Sequence, residues 1–135
     1  NPTVAINLTG NSSVQTLKGN EAANILSGLA GNDTLIGNGG ADTLKGGQGI
    51  DVMTGGAGAD RFVFESLPGN DRITDFQSGV DKIDLDAFGI TMAQVSATLS
   101  GGNAILSIDS NRDGHADFTI TLSGVGAPVA ADYIF

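Results

Sequence analysis

GLAGNDTLI (residues 28–36), GNGGADTLK (37–45), GGQGIDVMT (46–54) and GGAGADRFV (55–63) follow one another without a break. Each has Gly at its first and fourth positions, Asp at its sixth and an apolar residue at its eighth. Two units of the same length, GNSSVQTLK (10–18) and GNEAANILS (19–27), precede them; they keep the leading Gly and an apolar eighth residue, with Gln15 and Asn24 where Asp recurs later. A short fixed period of this kind specifies stacked coils, because no single unit can bury its apolar face alone.

Within a unit the first six residues read as a turn and the last three as a very short strand. Thirteen of the 21 glycines lie between Gly10 and Gly58, where they tolerate positive φ and let main-chain oxygens come close to a ligand. The strand triplets are TLK, ILS, TLI, TLK, VMT and RFV, and their central residues Leu17, Leu26, Leu35, Leu44, Met53 and Phe62 point inward by alternation. Two units then make one coil of a flattened roll, odd units forming one sheet and even units the other. The expected fold is all-β: a right-handed parallel β-roll over residues 10–63, a leading strand or linker at 1–9, and an antiparallel β cap over 64–135.

One apolar anchor per nine ordered residues is a thin core, and stacking brings rows of carboxylates together. Such an array calls for a counter-ion, and folding coupled to metal binding follows. The donors on offer are carboxylates and main-chain carbonyls, which suit calcium with its six to eight oxygen ligands in flexible geometry. There is no cysteine, and His115 is the only histidine, so the sulfur or imidazole set of zinc or copper is missing. An ion is expected between turns two units apart, held by carbonyls of positions one and three plus Asp on one turn, and of positions two and four plus Asp on the other. That rule joins Gly28, Ala30 and Asp33 to Gly47, Gly49 and Asp51, and joins Gly37, Gly39 and Asp42 to Gly56, Gly58 and Asp60. Asn24 with Asp42 forms a hybrid site, and Asp71 and Asp75 complete the last half-site of the roll. About three to five ions are expected in all.

The 135 residues fit one ordinary domain, and a net charge of −9 with six scattered Lys and Arg excludes a nucleic-acid-binding stripe. No apolar run is long enough to span a bilayer. The start, NPTVAINLTG, lacks a basic segment leading into an apolar run and so does not read as a signal peptide; the chain reads as part of a longer protein.

After Phe64 the period stops and alternating strand patterns appear in DRITDF, DKIDLDAF, NAILSID and DFTITLSGV, with a hairpin turn at Gly101–Gly102 and a short helical turn in TMAQVS. Between two of these strands lies DSNRDGHAD (109–117). Asp109, Asn111, Asp113, the His115 carbonyl and Asp117 match the first nine positions of a calcium loop, although Ile120 replaces the terminal Glu and the flanks are strands. A polar hairpin loop reads equally well there. No HExxH, GxSxG, Walker GK[ST] or GxGxxG spacing occurs, and the single histidine leaves a nucleophilic relay without support, so the module is read as noncatalytic.

With the nonapeptides, the ITDF and DKIDL strands and an acidic-apolar terminus, the chain resembles the C-terminal module of repeats-in-toxin (RTX) exoproteins. It is most like the serralysin-type metalloprotease C-terminal domain, and is similar to mannuronan epimerase repeat modules. The resemblance implies a calcium-filled parallel β-roll, secretion to the cell exterior through a type I channel, and an export signal at Asp132-Tyr133-Ile134-Phe135. It implies an N-terminal parent domain, enzymatic or not, as partner. Function is read as a calcium-induced folding, secretion and stabilisation module. The alternatives are a calcium-dependent alginate-binding module, with Lys45 and Arg61 facing the polysaccharide, and an adhesin or surface-layer fragment.

Overall fold

The computed structural model describes residues 3–66 and 68–135; the first two residues of the expected leading segment lie outside that range. Among the described residues all regular structure is strand apart from three single-turn 3-10 segments. The array supplies β1 (Asn7–Thr9), β2 (Thr16–Lys18), β3 (Ile25–Ala30), β4 (Thr34–Gly39), β5 (Thr43–Gln48), β6 (Val52–Ala57) and β7 (Arg61–Val63). It continues into β8 (Asn70–Ile73) and β9 (Lys82–Asp84), and the rest supplies β10 (Val95–Ser100), β11 (Asn103–Ile108), β12 (Phe118–Leu122) and β13 (Tyr133–Ile134).

Two sheets result. One has the order β1-β3-β5-β7-β9-β13, the other β10-β11-β12-β8-β6-β4-β2, so alternate units do feed opposite sheets. Pairing within the array is parallel and in register: Leu8, Leu26, Leu44, Phe62 and Ile83 stack in one column of side chains. Leu17, Leu35, Met53 and Ile73 stack in the other. From Leu26 and Leu35 onward these anchors are fully buried, each Leu worth roughly 1.5–3 kcal/mol.

The structure differs from the sequence reading in two ways. Strands β3 to β6 run six residues each, through the triplet and into the first three residues of the next unit. The coil also does not stop at Val63. β8 lies parallel to β6 and β9 parallel to β7, with Met53 opposite Ile73 and Phe62 opposite Ile83. These partners are 20 and 21 residues apart where the array has 18, so short insertions hide two further units, one more coil, from a period-based reading.

The cap follows the alternation of its sequence. Phe118, Ile120 and Leu122 are buried with Ala104, Leu106 and Ile108. β10 and β11 form an antiparallel hairpin across Gly101 and Gly102, whose φ angles of 58° and 79° are those of a type I′ turn. Thr91 caps the 3-10 turn Met92–Gln94. β12 then joins the roll in parallel with β8. At the C-terminus Asp132 is fully buried and Tyr133–Ile134 pairs with β9, so the acidic-apolar terminus is the closing strand of its sheet.

Candidate metal centre

The turns between strands stack in two columns. One column holds residues 10–15, 28–33, 46–51 and 68–71; the other holds 19–24, 37–42, 55–60 and 75–81. Glycine is required here for two separate reasons. At the fourth position Gly31, Gly40, Gly49 and Gly58 have φ of 112°, 98°, 136° and 138°, which turns the chain through a region that side chains avoid. At the first position φ is ordinary and space decides. A Cβ on Gly28 would lie 2.5 Å from both Asp33 Oδ2 and the carbonyl oxygen of Gly46.

Each Asp is held by one oxygen in a ladder along the column. Asp33 Oδ1 accepts the N–H of Gln15 (2.8 Å), Asp51 Oδ1 that of Asp33 (2.7 Å), and Asp71 Oδ1 that of Asp51 (2.8 Å). In the other column Asp42 Oδ1 accepts from Asn24 (2.7 Å), Asp60 Oδ1 from Asp42 (2.8 Å) and Asp81 Oδ1 from Asp60 (2.9 Å). The second oxygens of Asp33, Asp42, Asp51 and Asp60 are buried and have no hydrogen-bond partner. Four buried carboxylate oxygens without partners are costly unless a cation compensates them.

Burial shows in the proton affinities as well. Burial, only partly offset by the Asp42 N–H, pushes Asp60 up to about 6, with the charges of Asp81, Asp42 and Asp75 adding to the rise. Asp71 is pushed up to about 7 by burial, against the Asp51 N–H and with help from the Asp51 charge. Burial also raises Asp51 and Asp81.

The carbonyls face their neighbours in the reverse of the order expected from the sequence. The oxygens of Leu29 and Gly31 crowd Gly47 and Gly49 of the following turn, and those of Asn38 and Gly40 crowd Gly56 and Gly58. The Gly46 oxygen faces back to Gly28, the Gly55 oxygen back to Gly37, and the Gln48 oxygen back to the N–H of Gly31 (2.9 Å). Positions two and four of the earlier turn therefore meet positions one and three of the later one. Between residues 28–33 and 46–51 the facing oxygens are those of Leu29, Gly31, Asp33, Gly46, Gln48 and Asp51. The Gly28 oxygen faces Gly10 and the Gly49 oxygen faces Gly69, each away from the interval assigned to it. The cause is strand alternation, which points successive carbonyls to opposite neighbours. The donor set stays all-oxygen and fits calcium. Among the described residues no three acidic or histidine side chains meet at one point, so carbonyls must complete any such site.

Asn24 occupies the ladder position of an Asp but behaves differently. Its Oδ1 accepts the Ile6 N–H (3.0 Å), and its Nδ2 donates among Asp42 Oδ1 (3.1 Å), Asn20 Oδ1 (3.2 Å), the Asn20 carbonyl (3.3 Å) and the Ala22 carbonyl. The hybrid Asn24–Asp42 site of the sequence reading thus has an amide nitrogen at the meeting point of its oxygens. Asp71 and Asp75 do not share a half-site. Asp71 closes one column, while Asp75 accepts the N–H groups of Gly55 (3.0 Å) and Gly56 (2.7 Å) in the other.

Sequence reasoning missed Asp81, which closes that second column. Its signal was the triplet Asp-x-apolar, present as Asp71-Arg72-Ile73 and Asp81-Lys82-Ile83 just as in Asp60-Arg61-Phe62. The 109–117 loop is exposed and internally bonded. Asp109 accepts the N–H groups of Asp113 and Gly114, Asn111 Oδ1 that of Asp113, Asp113 that of His115, and Asp117 those of Ser110 and Asn111. The Ser110 hydroxyl, at 2.6 Å, is the chief cause of a lowered Asp117 proton affinity.

The family model of the RTX calcium-binding nonapeptide repeat, four copies long, matches residues 9–44, 18–53 and 36–73. The array is made of RTX calcium-binding repeats. Two epimerase modules share its architecture. One is the R3 subunit of the AlgE6 mannuronan C5-epimerase of Azotobacter vinelandii: 28% identity, TM-score 0.79, covering 93% of this chain and 80% of that one. The R2 subunit of the same enzyme gives 28% identity and TM-score 0.65, covering 98% and 92%. The extracellular lipase LipA of Serratia marcescens shares the fold at 22% identity and TM-score 0.71; the match covers 96% of this chain and only 20% of the lipase. Comparison with curated protein sequences finds no match.

Proposed function

We propose that this chain is a noncatalytic calcium-responsive module of a secreted protein, which folds when calcium is available and stabilises the domain attached to it. The observation that carries this reading is the set of buried, unpartnered Oδ2 atoms on Asp33, Asp42, Asp51 and Asp60. Bound calcium would supply the positive charge those oxygens lack, with the oxygens serving as its ligands. The chain's own part is to bring carboxylates and carbonyls into stacked register, which the unfolded chain cannot do. Extracellular calcium modules bind with dissociation constants of about 10⁻⁴–10⁻³ M. A site at ten times that concentration contributes about 1.4 kcal/mol, so three contribute about 4 kcal/mol. Against a typical stability of about 5–15 kcal/mol, occupancy decides whether the module is folded. In calcium-poor cytosol the chain stays extended enough to thread a type I channel; outside it folds. Circular dichroism during calcium titration tests this, and an unchanged strand signal in chelator would refute it.

A second reading is calcium-dependent polysaccharide binding, favoured by the likeness to epimerase subunits. Lys45 and Arg61 do lie on adjacent strands, but Lys45 pairs with Glu65 (2.6 Å) and Arg61 with Asp84. Both cations are neutralised, which weighs against a polyanionic ligand. Calorimetric titration with alginate separates the two readings.

A further inference from the structure

Each of the two sheets ends in two edge strands, and among the described residues one of these edges is unlike the rest. β1, β2 and β13 are only two or three residues long, and β2 carries Lys18. β10 is six residues long, VSATLS, and pairs in unbroken register with β11 on one side only. Natural edge strands are kept from joining other chains by shortness, a charge, a proline or a bulge. β10 has none of these devices. Residues 87–108, which contain it, carry no charge in a chain of net −9.

β10 also overhangs the core. Val95, Ala97 and Leu99 stand opposite Ile108, Leu106 and Ala104 of β11 and so share their face. Those three partners are fully buried, yet Ala97 is exposed and Leu99 is 66% exposed. The apolar face of the sheet thus continues one strand past what covers it. The main chain opens the same way. The Gln94 carbonyl takes the Asp109 N–H (2.9 Å), so by alternation Ser96, Thr98 and Ser100 bond to β11. The N–H and carbonyl groups of Ala97 and Leu99 then point to the free edge, while the Val95 N–H is already taken by the Met92 carbonyl.

We propose that β10 is a self-association edge: two copies of this chain pair β10 antiparallel about a two-fold axis at Thr98, with Ala97 opposite the partner's Leu99. This register follows from the open groups, since Ala97 and the partner's Leu99 then exchange N–H and carbonyl bonds in both directions. It also lays each Leu99 side chain beside Ala97 of the other copy, covering the apolar overhang. A second copy suits the edge because neither strand brings a charge to the interface. The carboxylates of two molecules of net −9 lie off this strand, where salt screens them beyond about 8 Å. One strand edge buries less than the roughly 1,200 Å² of a stable interface, so the dimer is reversible and depends on concentration. The association needs only the folded chain and goes beyond the calcium reading.

Sedimentation velocity of the full chain in calcium, over a series of protein and salt concentrations, tests the surface. Wild type is expected to pass from monomer to dimer as concentration rises, more readily at high salt. Leu99→Lys, at an exposed position, and Thr98→Asp, which sets like charges face to face on the axis, should each weaken the dimer about tenfold or more. Val14→Lys removes another exposed apolar residue, beside β2 at the far edge of the same sheet, and should leave the dimer unchanged. Cross-linking checks the register, because the chain has no cysteine of its own. Thr98→Cys meets its own copy in a non-hydrogen-bonded pair, with Cα atoms about 4.5 Å apart, and should form a disulfide dimer with oxidised glutathione. Ser96→Cys should not, since it lies across the axis from the partner's Ser100. Circular dichroism checks that each variant folds. A wild type that stays monomeric throughout overturns the proposal. So does a dimer that Val14→Lys breaks while Leu99→Lys and Thr98→Asp spare it, or one that Ser96→Cys links as readily as Thr98→Cys.

Discussion

Replacing Asp42 by Asn should change stability with opposite sign in the absence and presence of calcium. Asp42 Oδ1 accepts the Asn24 N–H at 2.7 Å, while Oδ2 is buried without a partner. An asparagine keeps the first contact and puts an N–H donor at the second position. Asn24 shows the result one coil earlier, where its amide satisfies Asn20, Ala22 and Asp42 oxygens. In Asp42→Asn the same role falls to the oxygens of Asn38, Gly40 and Asp60. Leaving a buried acceptor unpaired costs about 1–3 kcal/mol, so the calcium-free fold should gain roughly that amount. With calcium the variant forfeits one ion, worth about 1.4 kcal/mol at ten times the dissociation constant and about 2.7 kcal/mol at a hundred times. Urea unfolding at a series of calcium concentrations is the assay. Plotted against the logarithm of calcium, the two stability lines should cross, the variant lying above at low calcium and rising with a slope smaller by one ion. Lines that stay parallel, with the variant below throughout, would refute the idea that an amide takes the place of a cation in this column.

The reverse change, Asn24→Asp, should add one calcium ion in native mass spectrometry and weaken the calcium-free fold by about 1–3 kcal/mol. Gly58→Ala places a Cβ 2.6 Å from the Gly40 carbonyl carbon at φ 138° and should cost at least about 3 kcal/mol in calcium. Gly101→Ala, at φ 58° with nothing within 4 Å, should cost only about 1 kcal/mol in the same urea titration. Acidity should oppose calcium. Asp60 and Asp71 rise from 3.8 to about 6 and about 7 in the fold, so the calcium-free fold binds more protons than the unfolded chain. The stability these two groups contribute is therefore fully present in acid and is lost as pH rises through those values, while calcium affinity falls as pH drops below about 7. Circular dichroism in chelator should show strand signal growing on acidification.

Legibility varied with the kind of residue. Leu26, Leu35, Leu44, Met53 and Phe62 were readable as inward anchors because burial demands an apolar residue at a fixed period. Asp33, Asp42, Asp51 and Asp60 stood out for the same reason, and all four are buried in ladders. Asp81 did not, since insertions before it break the period while leaving the stack intact. Asn24 was visible as a departure from Asp, yet only its surroundings show an amide donating to four oxygens. The direction of each carbonyl was equally hidden: a one-residue change of phase sends it to the other neighbour, and no side chain records which.

The sequence by itself determined the two-unit coil, its inward column and the acidic ligand type, because each depends on what a residue is and how often it recurs. Tertiary structure alone decided which oxygens face one another, where the stack ends, and that Asp132 pins the last turn. Those outcomes depend on main-chain direction and on contacts between segments up to 54 residues apart, as between Ser78 and Asp132. Composition is blind to direction, and a nine-residue period is blind to distance.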